Sequence, residues 1–472
     1  MSDTPRSSVS RRDFVHLSAI GGAGLGLAPL APRGLGPFDW LAGVSRDATP
    51  VEVARAAAAW LRQHAVRTPA GITWPRVPGE DEGGDVGLYH GSPGPILFLL
   101  ELAHQTDDRA ALQEVAGGAR ELVAALNGDD SIQPGLYSGL AGMAYTLDLA
   151  ADAAGDATFG HAARVCIDRI IESARTLDTG VAWFEDDPAN ASSDIVSGAA
   201  GIGFTLLWYA ERHGHDRAVY TAIDAARHLA SLGETAPVGR KWKMMPSFER
   251  LMPNFSHGTA GVAAFLARAH TAGGGNDLLE AAIDGGRYLQ SIAVCGEGGC
   301  RVFHHEPEGE DLFYLSWCHG PPGTARLFYQ LARSTGDDEW AEWLEKGAGA
   351  IHAYGVPETR SDGYWNNISQ CCGDCGVGEY FLALHAMTGK AEHLDYARRI
   401  ADYVQSRSDA PDADAQAWTQ AEHRVQPELL EAQTGWMQGA AGVGAFFLHI
   451  DARARGRSPL VSLPDTPWAA EL

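Results

Sequence analysis

The chain has 472 residues, 45% of them apolar and 20% charged, with a net charge of −24. This is the balance of a soluble globular protein, and so acidic a chain argues against nucleic acid as the main partner, because phosphate recognition needs a basic surface. Its 56 glycines are roughly 12% against a usual level of about 7%, and they recur at intervals rather than in a disordered tract.

At the N-terminus, Arg11 and Arg12 precede a mildly apolar, glycine-rich run from Val15 to about Pro32. Paired arginines ahead of a weak hydrophobic stretch resemble a twin-arginine export signal. The run holds too many glycines for a membrane helix, no cysteine follows it to carry a lipid, and no other stretch is apolar enough to span a bilayer. We therefore read residues 1–34 as signal and linker and 35–472 as a single exported domain, periplasmic or extracellular, without stable membrane insertion.

From there one pattern recurs seven times: a lead-in residue, Gly-x-x-Gly, then an apolar helical run. The lead-in and first glycine are His90-Gly91, Ser138-Gly139, Ser197-Gly198, His257-Gly258, His319-Gly320, Cys372-Gly373 and Gln438-Gly439. First glycines stand roughly 50 to 65 residues apart, which fits one helical hairpin plus loops. Runs such as 95–100 and 204–209 are apolar nearly all round and must be buried. Before each motif lies an amphipathic helix, clearest at 156–174 and 391–407. Alternating buried and amphipathic helices, seven of each, predict an all-α fold: an (α/α) toroid of seven helical hairpins. Links from inner to outer helices are short turns, as at His213–Asp216, whereas links from outer to inner are long, as at 295–317 and 408–434. The long links share the end where the inner helices begin, which is where binding is expected.

Two motifs at that end carry sulfur, Trp317-Cys318-His319 and Gln370-Cys371-Cys372. They open adjacent inner helices, so Cys318, Cys371 and Cys372 should converge. Thiolates at helix N-termini bind zinc well, and three protein ligands leave a fourth position open, as in catalytic zinc. The alternatives are buried free thiols or a disulfide, although neighbouring Cys371 and Cys372 are poorly placed to bridge each other. Cys375 is a packing residue or reserve thiol, Cys166 a core residue, and Cys295 and Cys300 bracket a loop and can pair after export.

The glycine repeats, the Trp-Cys-His-Gly motif, the second sulfur motif and the closing 435–442 segment resemble lanthionine synthetase C-like proteins over about Val51 to Ile450. The resemblance implies Zn²⁺ on two cysteines and a third ligand, activating a thiol that adds to a dehydrated Ser or Thr residue of a peptide. Cys318 and Cys371 match the cysteines, and Cys372 stands where histidine is usual. The resemblance also assigns His257 to proton transfer and Asp194 to the acidic partner; without it, each reads equally as a helix cap or polar mouth residue. Tyr314 stands where cyclases of this family often carry arginine, and His319 where many bacterial ones carry tyrosine. The substrate implied is a peptide or a small thiol.

The remaining candidates at the mouth are His90, His304 and His305 as further ligands or bases, and the basic stretch 240–243, which reads as a solvated loop or a patch for an acidic substrate. Two other functions compete: an exported zinc-containing binding module without cyclase activity, and a carbohydrate-processing toroid, which would need two opposed carboxylates.

Overall fold

The computed structural model describes residues 48–79, 84–410 and 413–471; the arginine pair and glycine-rich run of the expected export signal lie outside them. Fourteen α-helices occur among the described residues. In chain order they are α1 (Pro50–Gln63), α2 (Pro93–Thr106), α3 (Arg109–Gly128), α4 (Leu140–Ala154), α5 (Ala157–Ser173), α6 (Ala199–His213), α7 (Asp216–Ser231), α8 (Thr259–Ala269), α9 (Asn276–Ile292), α10 (Pro321–Thr335), α11 (Asp338–Tyr354), α12 (Asp374–Thr388), α13 (Ala391–Ser406) and α14 (Ala440–Ala454). Even-numbered helices form an inner ring and odd-numbered helices an outer one. The division follows from side-chain pattern: α2 buries every residue from Pro93 to Ala103, whereas α7 buries one face built on Ala218, Ala222, Ala225, Ala226 and Leu229. Each inner helix packs on its neighbours, α14 packs on both α2 and α1, and the ring is thereby closed. The expected all-α toroid is the observed fold.

Short turns join inner to outer helices at the rear face. Gly155 and Gly336 end α4 and α10 at φ 63° and 69°, a conformation that costs other residues a steric clash. Asp156 and Asp337 then cap the next helix by accepting from Thr158 N–H and Glu339 N–H.

The long front links contain something the helical pattern did not predict. Five two-stranded antiparallel hairpins lie there: β1 (Val66–Arg67) with β2 (Ile72–Thr73), β3 (Arg175–Leu177) with β4 (Gly180–Ala182), β5 (Glu234–Thr235) with β6 (Arg240–Lys241), β7 (Val294–Gly296) with β8 (Gly299–Arg301), and β9 (Thr419–Ala421) with β10 (Leu430–Ala432). Trp74, Trp183 and Trp242 follow the second strand of their hairpins. Each donates its indole N–H to a carbonyl in the last turn of the preceding outer helix, Leu61 at 3.1 Å, Ile170 at 2.9 Å and Leu229 at 2.7 Å. Those carbonyls sit where the regular helical ladder ends, so one buried tryptophan both fills the wall and adds a donor at the helix end.

Between hairpins and inner helices runs a closed belt of seven backbone hydrogen bonds. Tyr89 N–H donates to Tyr137 C=O, Tyr137 to Val196, Ile195 to Ser256, Ser256 to Cys318, Cys318 to Cys371, Cys371 to Met437, and Met437 back to Tyr89, all at 2.9–3.1 Å. The belt explains the glycine repeat. A Cβ on the second glycine of six of the seven motifs would collide with the carbonyl six residues earlier, 2.1 Å from Trp317 O at Gly323 and 2.1 Å from Gln370 O at Gly376, and at Gly94 it would meet the Trp436 backbone N–H at 2.4 Å instead.

At the rear, segment 457–471 folds back under the inner ring. Val461 N–H donates to Glu101 (2.7 Å), and Arg326 to Asp465 C=O (2.8 Å). It borders a cavity of about 1210 Å³ between the C-terminal halves of the inner helices, at the opposite end from the sulfur motifs.

Candidate metal centre

The belt decides where the sulfurs go. Cys318 and Cys371 are consecutive belt residues, their backbones joined at 3.1 Å, and Cys372 occupies the lead-in position just after. The turn carrying the pair is built locally. Asn367 Oδ1 accepts from Ser369 N–H at 3.0 Å, and Ser369 Oγ accepts from Cys372 N–H at 3.4 Å. Asp374, buried in the first turn of α12, takes Arg360 at 2.8 Å and the Tyr364 hydroxyl, pinning the preceding loop.

Cys372 Sγ lies 3.4 Å from both Cys318 Sγ and Cys371 Sγ, and the three sulfurs lie within 4.8 Å of one another. A disulfide would need about 2.05 Å. Three sulfurs bound to one tetrahedral zinc at ~2.3 Å would stand about 3.8 Å apart, so small adjustments of buried side chains make this a zinc-sized cradle. Without metal the thiols titrate together. Burial opposes ionisation of Cys318, yet hydrogen bonds from the other two thiols hold it well below the ordinary value. Burial and that thiolate in turn push Cys371 up, and chiefly the thiolate pushes Cys372 up. Neutral donors surround the group: the Ser316 hydroxyl is 3.7 Å from Cys318 Sγ, Gln438 Nε2 is 3.9 Å from Cys372 Sγ, and the Tyr89 hydroxyl hydrogen-bonds to Cys371.

Beside the sulfurs stand imidazoles. His257 Nδ1 is 2.7 Å from Asp194 Oδ2, while Asp194 Oδ1 accepts Ser197 N–H at 2.9 Å and Gly198 N–H at 2.8 Å. Asp194 therefore serves as both helix cap and histidine partner, so the two readings of it are not exclusive. His319 lies between His257 and His304, with ring centroids 5.7 and 4.1 Å away. Burial first, then repulsion among the imidazoles, pushes His304 and His319 well below the ordinary histidine value, which keeps both neutral at neutral pH. His305 Nδ1 is 2.8 Å from His304 Nδ1.

A model of lanthionine synthetase C-like proteins matches residues 83–462. The chain belongs to the lanthionine synthetase C-like family. Among solved structures it is similar to nisin cyclase, at 16% identity and a TM-score of 0.59, covering 89% of this chain and 97% of that one. It also resembles an inactive variant of the α-1,6-mannanase of Salegentibacter sp. HEL1_6, at 9% identity and a TM-score of 0.46, covering 86% and 99%. At 16% identity, the likeness to nisin cyclase speaks to fold alone.

In this lanthionine synthetase C-like protein the structure brings Cys318, Cys371, Cys372, His257 and Asp194 to one mouth. Cys375 and Cys166 are buried away from the cluster, and Cys295 and Cys300 form a disulfide at the β7–β8 hairpin tip. The basic stretch is no free anion patch, although Arg240 keeps 44% of its side chain exposed, as the solvated reading expected. Arg240 pairs with Asp284 (3.0 Å), Lys241 with Glu306 (2.6 Å) and Lys243 with Glu234 (3.4 Å), while Trp242 is in the core. Sequence reasoning missed Arg424, in the loop between β9 and β10, which hydrogen-bonds to Tyr314 and so sets a guanidinium beside the residue standing in the family's arginine position. It also missed Glu422, 3.0 Å from His90.

Proposed function

We propose that the protein is a zinc-dependent, thioether-forming enzyme that adds a thiol to a dehydroamino acid of a peptide. The observation that carries this reading is the set of three sulfurs within 4.8 Å of one another at adjoining inner-helix N-termini of a family member. Cys318, Cys371 and Cys372 would hold Zn²⁺. When bound there, zinc supplies Lewis acidity that favours the thiolate form of a substrate sulfur.

The chain's own residues supply the rest. Asp194 orients His257 through Nδ1, leaving Nε2 for the substrate, where an imidazolium can protonate the carbanion formed at the α-carbon. The Tyr314–Arg424 pair offers donors for the enolate oxygen. Neutral His304 and His319 line the site without adding charge that would compete for the metal. No described helix is long and apolar enough to cross a membrane.

We further propose export by the twin-arginine route. Supporting it are Arg11 and Arg12 ahead of the glycine-rich run, and the Cys295–Cys300 disulfide, a bond that persists in oxidising compartments.

The test measures zinc per chain and thiol addition to a dehydroalanine peptide. One zinc in the wild type and none in Cys318→Ala, with helical content kept and addition lost, is expected. Zinc retained by the variant would overturn the ligand set; zinc bound without any addition would favour a binding module.

A further inference from the structure

His257 is not the mouth's only carboxylate-held imidazole. The residues before the glycine motifs form one ring, because the belt holds the repeats in register. Counting from Cys372, His257 stands two repeats away in one direction and His90 two repeats away in the other. His90 Nε2 lies 3.0 Å from Glu422 Oε1, matching the 2.7 Å contact of His257 with Asp194. Both groups of the His90 pair remain partly accessible, with side chains 16% and 10% exposed.

An ionised carboxylate only accepts hydrogen bonds, so Glu422 fixes the His90 proton on Nε2 and leaves Nδ1 with a free lone pair. Burial would raise the Glu422 carboxyl, but His90, His423 and Gln433 hold it well below the usual carboxylate range. The groups facing this pair are Arg76, 3.3 Å from Glu422; His423, 3.8 Å from it; Glu431, 3.3 Å from Arg76; and the Tyr89 ring, 4.5 Å from that of His90. The two pairs differ in what else the carboxylate serves. Glu422 is shared with the Arg76 guanidinium. Asp194 has only His257 and the start of α6. The carboxylates hold the two imidazoles by opposite nitrogens, Nε2 in His90 and Nδ1 in His257, so opposite nitrogens remain for the substrate.

We propose that His90, oriented by Glu422, is a catalytic base that takes the proton of the attacking thiol; this rests on the thioether-forming reading above. The S–H bond breaks as its proton passes to His90 Nδ1, and the sulfur lone pair forms the bond to the β-carbon. The C=C electron pair moves to the α-carbon, where the proton from His257 Nε2 forms the C–H bond. One proton leaves sulfur and one reaches carbon, and the two imidazoles reset through solvent.

The experiment compares dehydrated peptides carrying cysteine or selenocysteine as nucleophile, with the full chain, its His90→Asn and His257→Asn variants, and Glu422→Gln. A selenol is ionised at neutral pH and needs no base. His90→Asn should lose about 100-fold with cysteine and recover to within tenfold of wild type with selenocysteine, while His257→Asn stays slow with both. Nitrogen-15 NMR of wild-type His90 should show a bare Nδ1, lost or exchanged in Glu422→Gln. A His90→Asn variant equally slow with both nucleophiles, or unaffected with cysteine, overturns the role alone, as does a protonated Nδ1 in the wild type. A wild type that adds neither nucleophile overturns the reaction and this role with it.

Discussion

Asp194 does two jobs with its two oxygens, and two substitutions separate them. Asp194→Ala removes the acceptor for Ser197 N–H and Gly198 N–H in a buried helix start. Losing the cap costs about 1 kcal/mol, and the second unpaired N–H about 2 kcal/mol more. Unfolding entropy of about 2.1 cal/mol/K per residue over 472 residues gives roughly 1 kcal/mol per degree, so Tm should fall by about 3 °C. Asp194→Asn keeps a carbonyl oxygen for the cap, and its Tm should stay within about 1 °C of wild type. Its amide N–H₂ now faces His257 Nδ1, which must accept, and the imidazole proton moves to the wrong nitrogen. Thiol addition should therefore drop at least about 100-fold in both variants. Calorimetry gives Tm, and mass spectrometry after alkylation of unreacted thiols gives the rate. If Asp194→Asn is as unstable as Asp194→Ala, or adds thiol at the wild-type rate, the division of labour is wrong.

Gly376→Ala places a Cβ 2.1 Å from Gln370 O, which should cost about 1–3 kcal/mol by overpacking and weaken zinc binding by displacing the turn that holds Cys371 and Cys372; Gly128→Ala, with nothing within 4 Å, should be neutral or stabilising. Urea denaturation and competition with a zinc chelator check both. Trp242→Phe removes the donor to Leu229 C=O together with part of a fully buried ring system; a loss of more than about 1 kcal/mol is expected in urea, and no change would refute the capping role. Burial disfavours a charged His449, yet Glu379, 2.8 Å away, pushes it up to about 9 from an ordinary 6.5. The folded value is the raised one, so this pair stabilises fully below pH 6.5 and is lost as pH climbs through about 9. The loss should be about 3 kcal/mol and absent in His449→Gln; equal pH profiles would refute it.

The helical repeat and the sulfur site were readable because their causes are local. The collision of the second glycine with a carbonyl six residues earlier is written into six of the seven motifs, and once the repeat is in register, Cys318 and Cys371 must be neighbours. What stayed hidden depends on distant chain. Glu422 meets His90 across 332 residues, from a loop with no periodicity of its own. Arg424 reaches Tyr314 from that same loop. The basic stretch misled for the same reason: Asp284 and Glu306, which neutralise Arg240 and Lys241, lie on other repeats. The hairpins β1–β2 to β9–β10 are two or three residues per strand, too short to leave an alternation that a helical reading would notice.

The backbone belt makes the front of the molecule behave as a hoop. Since Met437 is tied to Tyr89 just as Cys318 is to Cys371, no repeat is first or last around the ring. Cys318 and Cys371 are two of the links that close it. The spacing of the thiols is thus set by the closure of the whole ring as well as by the two motifs that carry them.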